Sequence, residues 1–455
     1  MQPMMNKSNK ENFRKRLSKQ SVWSKPGFYL GVVLGLVLLA VLVYQIPAVH
    51  ERFSWRVDSA VARIYYFFNR PGRDVFVPAE EAVAQMDVMK TQTAAAPPTA
   101  TPTPTEEPTI TPTLEFTPTP TVEPTATPTL KPLPKSVLLE GVKVEPQKAN
   151  NCGPANLSML LNFWGWKGDQ TVTEQVLKPF IKDRNVMPYE MLDYVQKNTE
   201  VNGIVRYGGD LNLVKRLVAS GFPVLIERGY ANSAEGWMGH YGLIVGYDDE
   251  TQEVTIPDTY LGVIKMKYEE IDKYWAQFDK IYLVIFPNDR AQEVYDILGP
   301  QMDSAYNLQY AFEQVQANLF NQSDAELFFA WYSRGSIMVE MQDSWGAAQS
   351  FDEAFKVYAT LPEKDRPWRM LWYQTGPFFA YYNMGRYHDV LNLAKQTLTE
   401  AKEDALPESW VWKGRAEVML GLRDDAIASF TRALYWHPGW WVAENELSAL
   451  GVTPP

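Results

Sequence analysis

The chain has 455 residues, 46% of them hydrophobic and 21% charged, too long for one core and enough for two or three domains. Lys and Arg number 43 against 54 Asp and Glu, a net charge of −11, which argues against nucleic acid as the main partner because phosphate binding needs a basic face. A single cysteine, Cys152, excludes an intrachain disulfide and a metal site built on several thiols, and no phosphate-cradling Gly-Lys-Ser/Thr loop points to an ATPase.

Residues 1–25 form a basic segment in which Lys7, Lys10, Arg14, Lys15, Arg16, Lys19 and Lys25 face only one acid, Glu11. An uncharged apolar run follows from Phe28 to Tyr44. Its length predicts a transmembrane helix over 26–49, and the basic flank predicts a cytoplasmic N-terminus with the globular part outside. A cleaved signal peptide is the competing reading, but no small-x-small site follows the run closely.

Residues 50–96 hold an amphipathic stretch and a connector. Phe53, Val57, Ala60, Val61, Ile64, Phe67 and Phe68 recur at helical spacing over 51–69. Such a helix either lies on lipid or continues the anchor as a stalk or self-association surface. Residues 97–134 contain 12 prolines and 13 threonines, too little apolar surface to fold. At ~3.1 Å per residue this run reaches on the order of 100 Å, so a stalk is expected.

Ordered character returns over 135–290, an α+β domain. Val224–Ile226, Tyr241–Tyr247, Glu253–Ile256 and Ile281–Phe286 read as strands, and Leu157–Trp164, Met187–Asn198 and Leu211–Ser220 as helices. Residues 291–455 are all-α and repetitive. From Pro407 to Trp440, Trp410, Gly414, Gly421, Ala426, Phe430, Ala433 and Pro438 fit the 34-residue tetratricopeptide pattern. Trp331, Gly335, Ala347, Phe351 and Ala354 form a second copy. A degraded copy with Gly385, Val390, Ala394 and Thr397 lies between them, and residues 303–325 are expected to supply a capping helix pair.

Thiol catalysis needs a thiolate, a base, a group that holds the base, and donors for an oxyanion. Cys152 precedes Gly153-Pro154 and an apolar helical run, so it falls at a helix N-terminus, where free N–H groups lower a thiol pKa. Of the four histidines, His50 lies at the membrane exit and His388 and His437 in the repeats. Only His240 shares a domain with Cys152. Pairing Tyr247 with Glu253 across the turn at 248–252 puts His240 and Asp258 at the same end of a hairpin. Asp248 and Asp249 fall at the far end. Asp258 can then orient the imidazole and stabilise its cation. Gln147, five residues before the cysteine, offers a side-chain amide as an oxyanion donor beside the Cys152 N–H.

Asn151-Cys152-Gly153-Pro154-Ala155, then Gly239-His240-Tyr241 leading into Val245-Gly246-Tyr247-Asp248, then Asp258, resembles the papain-like cysteine peptidases of family thirty-nine, the bacteriocin-processing, double-glycine-leader type. The resemblance covers about residues 136–290. It implies a papain-like fold, with Cys152 as nucleophile, His240 as general base and acid, Asp258 as the orienting residue and Gln147 in the oxyanion hole. Two features depart from the family. Thr259 stands where proline often follows the aspartate, and the six-helix membrane domain and ATPase of transporter-fused members are absent. The chain is closer to stand-alone members.

The expected architecture is therefore an α+β papain-like cysteine peptidase domain plus an all-α tetratricopeptide repeat domain, with an N-terminal transmembrane helix. The expected function is a membrane-anchored, extracytoplasmic cysteine peptidase. It would act on a peptide or protein substrate, bind a protein partner through the repeats, and need no cofactor, metal or nucleic acid. The repeats are expected to be dispensable for chemistry, since they contribute none of Gln147, Cys152, His240 and Asp258. The competing readings are a non-catalytic surface adaptor and a related thiol acyltransferase or amidase.

Overall fold

The computed structural model describes residues 26–79, 132–180, 182–232, 236–319, 322 and 324–455. Most of the Thr/Pro run over 97–134 lies outside the described residues. The chain divides into two units, residues 1–65 and 66–455.

In the first unit, α1 is Pro26–Tyr44; α2, Pro47–Phe68, begins there and ends in the second unit. Among the described residues no helix is long and apolar enough to cross a membrane. Helix α1 stops after 19 residues at a turn over Gln45 and Ile46. At ~1.5 Å per residue it falls just short of a hydrocarbon core about 30 Å thick. The transmembrane helix expected over 26–49 is thus not supported. The side chains of α1 from Tyr29 to Val43 are largely exposed.

In the second unit the α+β part runs β1 Ser136–Leu138, α3 Cys152–Phe163, α4 Gln170–Leu177, α5 Pro188–Asn198, β2 Asn202–Arg206, α6 Leu211–Ala219, β3 Val224–Asn232, β4 Gly236–Ile244, β5 Gly246–Asp248, β6 Glu253–Asp258, β7 Gly262–Lys267, α7 Tyr268–Trp275 and β8 Tyr282–Phe286. Local sequence sets the helix starts. Asp169 and Asp210 accept hydrogen bonds from Thr171 N and Leu213 N at 2.8 Å each, capping α4 and α6. Pro188 opens α5, where Glu190 accepts from Met187 N at 2.7 Å.

The strands form two antiparallel sheets, β1-β5-β6-β7 and β2-β8-β3-β4. Side chains alternate across the second sheet. Val224, Ile226, Tyr282, Val284 and Phe286 face a core with α6, Phe222 and Trp275. Leu225, Leu243, Leu283 and Ile285 face a second core under α3 and α5, with Leu157, Leu160, Leu161 and Met191.

The expected strand Tyr241–Tyr247 is two strands. At Val245 the chain leaves one sheet for the other, and Val245 N donates to Thr255 O at 3.0 Å. The register also differs by one residue, since Tyr247 pairs with Val254 and Asp248 with Glu253. A shift of one would turn Asp258 to the opposite face in a continuous hairpin. The change of sheet at Val245 removes that constraint.

The helical region contains α8 Ala291–Leu298, α9 Ser304–Asn318, α10 Asp324–Glu340, α11 Ser344–Thr360, α12 Met370–Tyr373, α13 Gly376–Asn383, α14 Tyr387–Glu400, α15 Pro407–Met419, α16 Arg423–Trp436 and α17 Trp441–Ala449. One helix, α9, occupies the place of the expected capping pair over 303–325 among the described residues. Three-residue turns join α10 to α11, α13 to α14 and α15 to α16. A Cβ at Gly335 would lie 2.6 Å from the Phe351 ring, and one at Gly414 2.5 Å from Phe430. The same small-against-large contact thus recurs in the first and last hairpins.

Two features were not legible in the sequence. The peptidase-type part and the helical region share one core, in which Trp237, Phe278 and Ile281 pack with Phe328, Phe329, Tyr332 and Phe351. In addition, residues 71–79 dock on the helical region. Gly72 N donates to Glu400 Oε1 at 3.1 Å, Ala79 N to Asp389 Oδ1 at 3.1 Å, and Gln396 Nε2 to Asp74 O at 2.7 Å. Phe76 is buried 4.9 Å from the Phe355 ring.

Candidate active site

Cys152 is the first residue of α3. Asn150 takes a φ of 51°, a left-handed conformation that asparagine tolerates, and turns the preceding loop into the helix. The loop is pinned by buried polar groups. Asn151 Nδ2 donates to Gln170 Oε1 at 2.8 Å and to Glu174 Oε2 at 2.7 Å, while Gln170 N donates to Glu145 Oε1 at 2.8 Å. Asn156, one turn into α3, donates to Cys152 O at 2.9 Å and to Tyr241 O at 3.3 Å, tying the helix to β4.

The structure brings Cys152, His240 and Asp258 together. His240, on β4, places Nε2 2.9 Å from Asp258 Oδ2, at the end of β6. The His240 side chain also lies close enough to the Cys152 thiol to lower its pKa. With Nε2 on the carboxylate, Nδ1 is the nitrogen left for sulfur. Asp249, a rejected alternative, pairs instead with Lys215 at 2.5 Å. Gln147 sits beside Thr259. Gln147 N donates to Thr259 O at 2.9 Å, and Thr259 Oγ1 donates to Gln147 Oε1 at 2.8 Å. Among the described residues the hydrogen bonds of Gln147 run to Thr259, which leaves its NH2 as the donor end.

Electrostatics follow from this packing. Burial pushes the Cys152 thiol up, but the nearby His240, with the backbone N–H groups of Tyr241 and Gly153, holds it below its ordinary value. Burial depresses His240, and Asp258 and Cys152 beside it more than reverse this. Burial raises Asp258, yet the His240 bond and charge, the Tyr260 N–H and Arg228 bring its carboxyl down to about 2. Burial holds the Glu227 carboxyl well above its ordinary value.

Sequence reasoning missed Arg228. Its Nη2 donates to Asp258 Oδ2 at 2.9 Å, the oxygen that also faces His240. Arg228 is 2% exposed and Asp258 0%. The β3–β4 register puts Arg228 directly opposite His240. A signal was present, because Glu227-Arg228 interrupts an apolar strand run, and a charge there needs a buried partner.

A helix-borne thiol, an imidazole on a strand and a buried aspartate at the end of another strand thus come together on an α+β scaffold. Residues 139–285 match the model of the Peptidase_C39 like family and form a peptidase C39-like domain. No curated protein matches the chain. Among solved structures, a protein described as a C39-like peptidase from Bacillus anthracis is 16% identical, with 34% of this chain and 99% of that one covered and a TM-score of 0.29. A double glycine motif protease from an AMS/PCAT transporter, in complex with its leader peptide, is 20% identical, with 34% and 99% covered and a TM-score of 0.25. Xylellain, a cysteine protease from Xylella fastidiosa, is 16% identical, with 34% and 87% covered and a TM-score of 0.28. The family match ends at residue 285, so it does not show the tetratricopeptide character of the helices beyond.

Proposed function

We propose that the protein is a cysteine peptidase that cleaves peptide bonds by acyl transfer. One observation carries the reading: His240 is held between the buried Asp258 carboxylate and the Cys152 thiol. Cys152 is the nucleophile. His240 takes its proton and later delivers it to the leaving amine, while Asp258 fixes the imidazole and stabilises its cation. The acyl-enzyme is then hydrolysed. The NH2 of Gln147, with the Cys152 N–H at the start of α3, stabilises the oxyanion. Thr259, in the family's proline position, holds the Gln147 carbonyl and so presents that NH2 end.

The test is the pH dependence of Cys152 alkylation by iodoacetamide in the full chain. The reactivity midpoint is expected well below the free-thiol value of about 8.5, and His240→Ala should bring it back toward that value. A wild-type midpoint at or above 8.5 would rule out an activated thiol.

The helical region is part of the same proposal, as tetratricopeptide-type hairpins whose face binds a protein partner. So is membrane association through α1. It rests on the basic segment 1–25 and on the exposed apolar side chains from Tyr29 to Val43. The full chain should float with lipid vesicles in a density gradient, and a chain starting at residue 66 should not. Equal partitioning of the two would refute it.

A further inference from the structure

Residues 72–79 carry no helix or strand, yet the helical region meets them with groups aimed at their main chain. Arg366 Nη1 donates to Gly72 O at 2.6 Å, and Glu400 Oε1 accepts from Gly72 N at 3.1 Å. Gln396 Nε2 donates to Asp74 O at 2.7 Å, and Asp389 Oδ1 accepts from Ala79 N at 3.1 Å. Side chains fix the register of the segment. Gly72 is buried at a φ of 74°, a conformation that favours glycine. Phe76 is 6% exposed, with the Phe355 ring at 4.9 Å and the Tyr381 ring at 6.0 Å. Pro78 is buried too and biases the residue before it toward extended backbone.

The helical region holds this seat with its own contacts. Asp389 is 3% exposed, and its Oδ2 accepts from Arg386 Nε at 2.8 Å. Arg386 Nη1 in turn donates to Asp352 Oδ2 at 2.8 Å, so a buried ion network joins α11 to the start of α14. It leaves Asp389 Oδ1 for the segment. With the seat empty, that oxygen would lose its donor and the Phe355 and Tyr381 rings their cover, so a filled seat is favoured. Main-chain hydrogen bonds supply affinity for any chain of the right shape, and the side-chain pocket supplies selection.

We propose that this seat is a peptide-binding site of the helical region, filled here by the chain's own segment, and that a foreign protein partner enters it by displacing that segment. The partner offers a non-helical stretch of the same chemistry, with glycine four residues before a phenylalanine and proline two residues after it. This rests on the reading of the helical region as a protein-binding surface. Residues 72–79 are then a competitor carried in the same chain, always present at high local concentration. A wild-type seat therefore rejects added peptide, and weakening the segment opens it.

The experiment adds a fluorescent peptide of residues 70–79 to the full chain and reads anisotropy and thermal melting. Phe76→Ala withdraws the anchor and weakens the resident segment roughly 10²- to 10⁴-fold. Gly72→Ala strains the same segment but leaves the Phe76 pocket filled, and serves if Phe76→Ala does not fold. Both variants should bind the peptide saturably and melt higher in its presence. Wild type should do neither, and a peptide carrying Phe76→Ala should bind no form of the chain. Binding to wild type as tight as to the variants overturns the inference, since the segment would then not compete. If the Phe76→Ala peptide binds as well as its parent, the helical region still binds peptides and only this seat is wrong. If neither peptide binds a variant that melts cooperatively, the inference fails and the partner-binding reading loses this face with it. A wild-type dimer that the peptide dissociates would give the seat to the same segment of a second copy and overturn the foreign partner.

Discussion

Asp258→Ala is expected to stop peptide turnover and also to cost about 3–5 kcal/mol of stability, because it strands Arg228 as a buried cation without its counter-charge. The two losses separate in a double variant. Asp258→Ala with Arg228→Met removes both charges, so it should regain most of the melting temperature while remaining inactive. Unchanged melting in the single variant, or no recovery in the double one, would show that the pair is not the source of the effect. The pH dependence has a definite sign. Asp258 is held down to about 2, below an ordinary aspartate near 3.9. Its contribution is therefore present above the ordinary value and is lost as the pH falls through about 2.

A fragment of residues 132–290 is expected not to fold by itself. In the whole chain Trp237, Phe278 and Ile281 are 8%, 0% and 8% exposed, covered by the helical region. Uncovering three such side chains loses about 1.5–3 kcal/mol each, a sum comparable to the ~5–15 kcal/mol that stabilises a whole domain. Circular dichroism should show a cooperative melt for residues 66–455 and none for the fragment. A fragment that melts cooperatively and still alkylates with a low midpoint would restore the division of labour that the sequence suggested. In the structure the two regions meet close to the site, since Arg369 of the helical region donates to Trp237 O on β4 and the Tyr373 ring packs at Gly239.

Local pattern made much of this legible. Cys152 before Gly153-Pro154 and an apolar run marked the start of α3, and the recurring glycine and phenylalanine positions marked the helical hairpins. The pairing of His240 with Asp258 was reached through a register one residue off, because nothing in Tyr241–Tyr247 announces a change of sheet at Val245. Arg228 was missed for a different reason. Its role depends on a partner 30 residues away, and neither helical nor strand periodicity carries that information. Residues 71–79 gave still less sign, since an irregular segment docks through its backbone as much as its side chains.

That docking changes what the Thr/Pro run can do mechanically. Ala79, the last described residue before the run, is held on the helical region by Asp389. At Pro134 and Lys135 the chain is on the α+β part, where Pro134 O accepts from Tyr247 Oη at 2.9 Å and Lys135 O from Asp249 N at 2.8 Å. Both ends of the intervening run are thus fastened to a single compact body. A tether fastened at both ends to one body is a closed circuit and not a spacer, so its contour length does not set how far the catalytic groups stand from anything preceding residue 66. The free energy of closing such a circuit grows only logarithmically, by about 0.6 kcal/mol for each doubling of its length. Threonine–proline repeats can accordingly be gained or lost there at almost no cost to stability, and a single cut within them would leave residues 71–79 seated where they are.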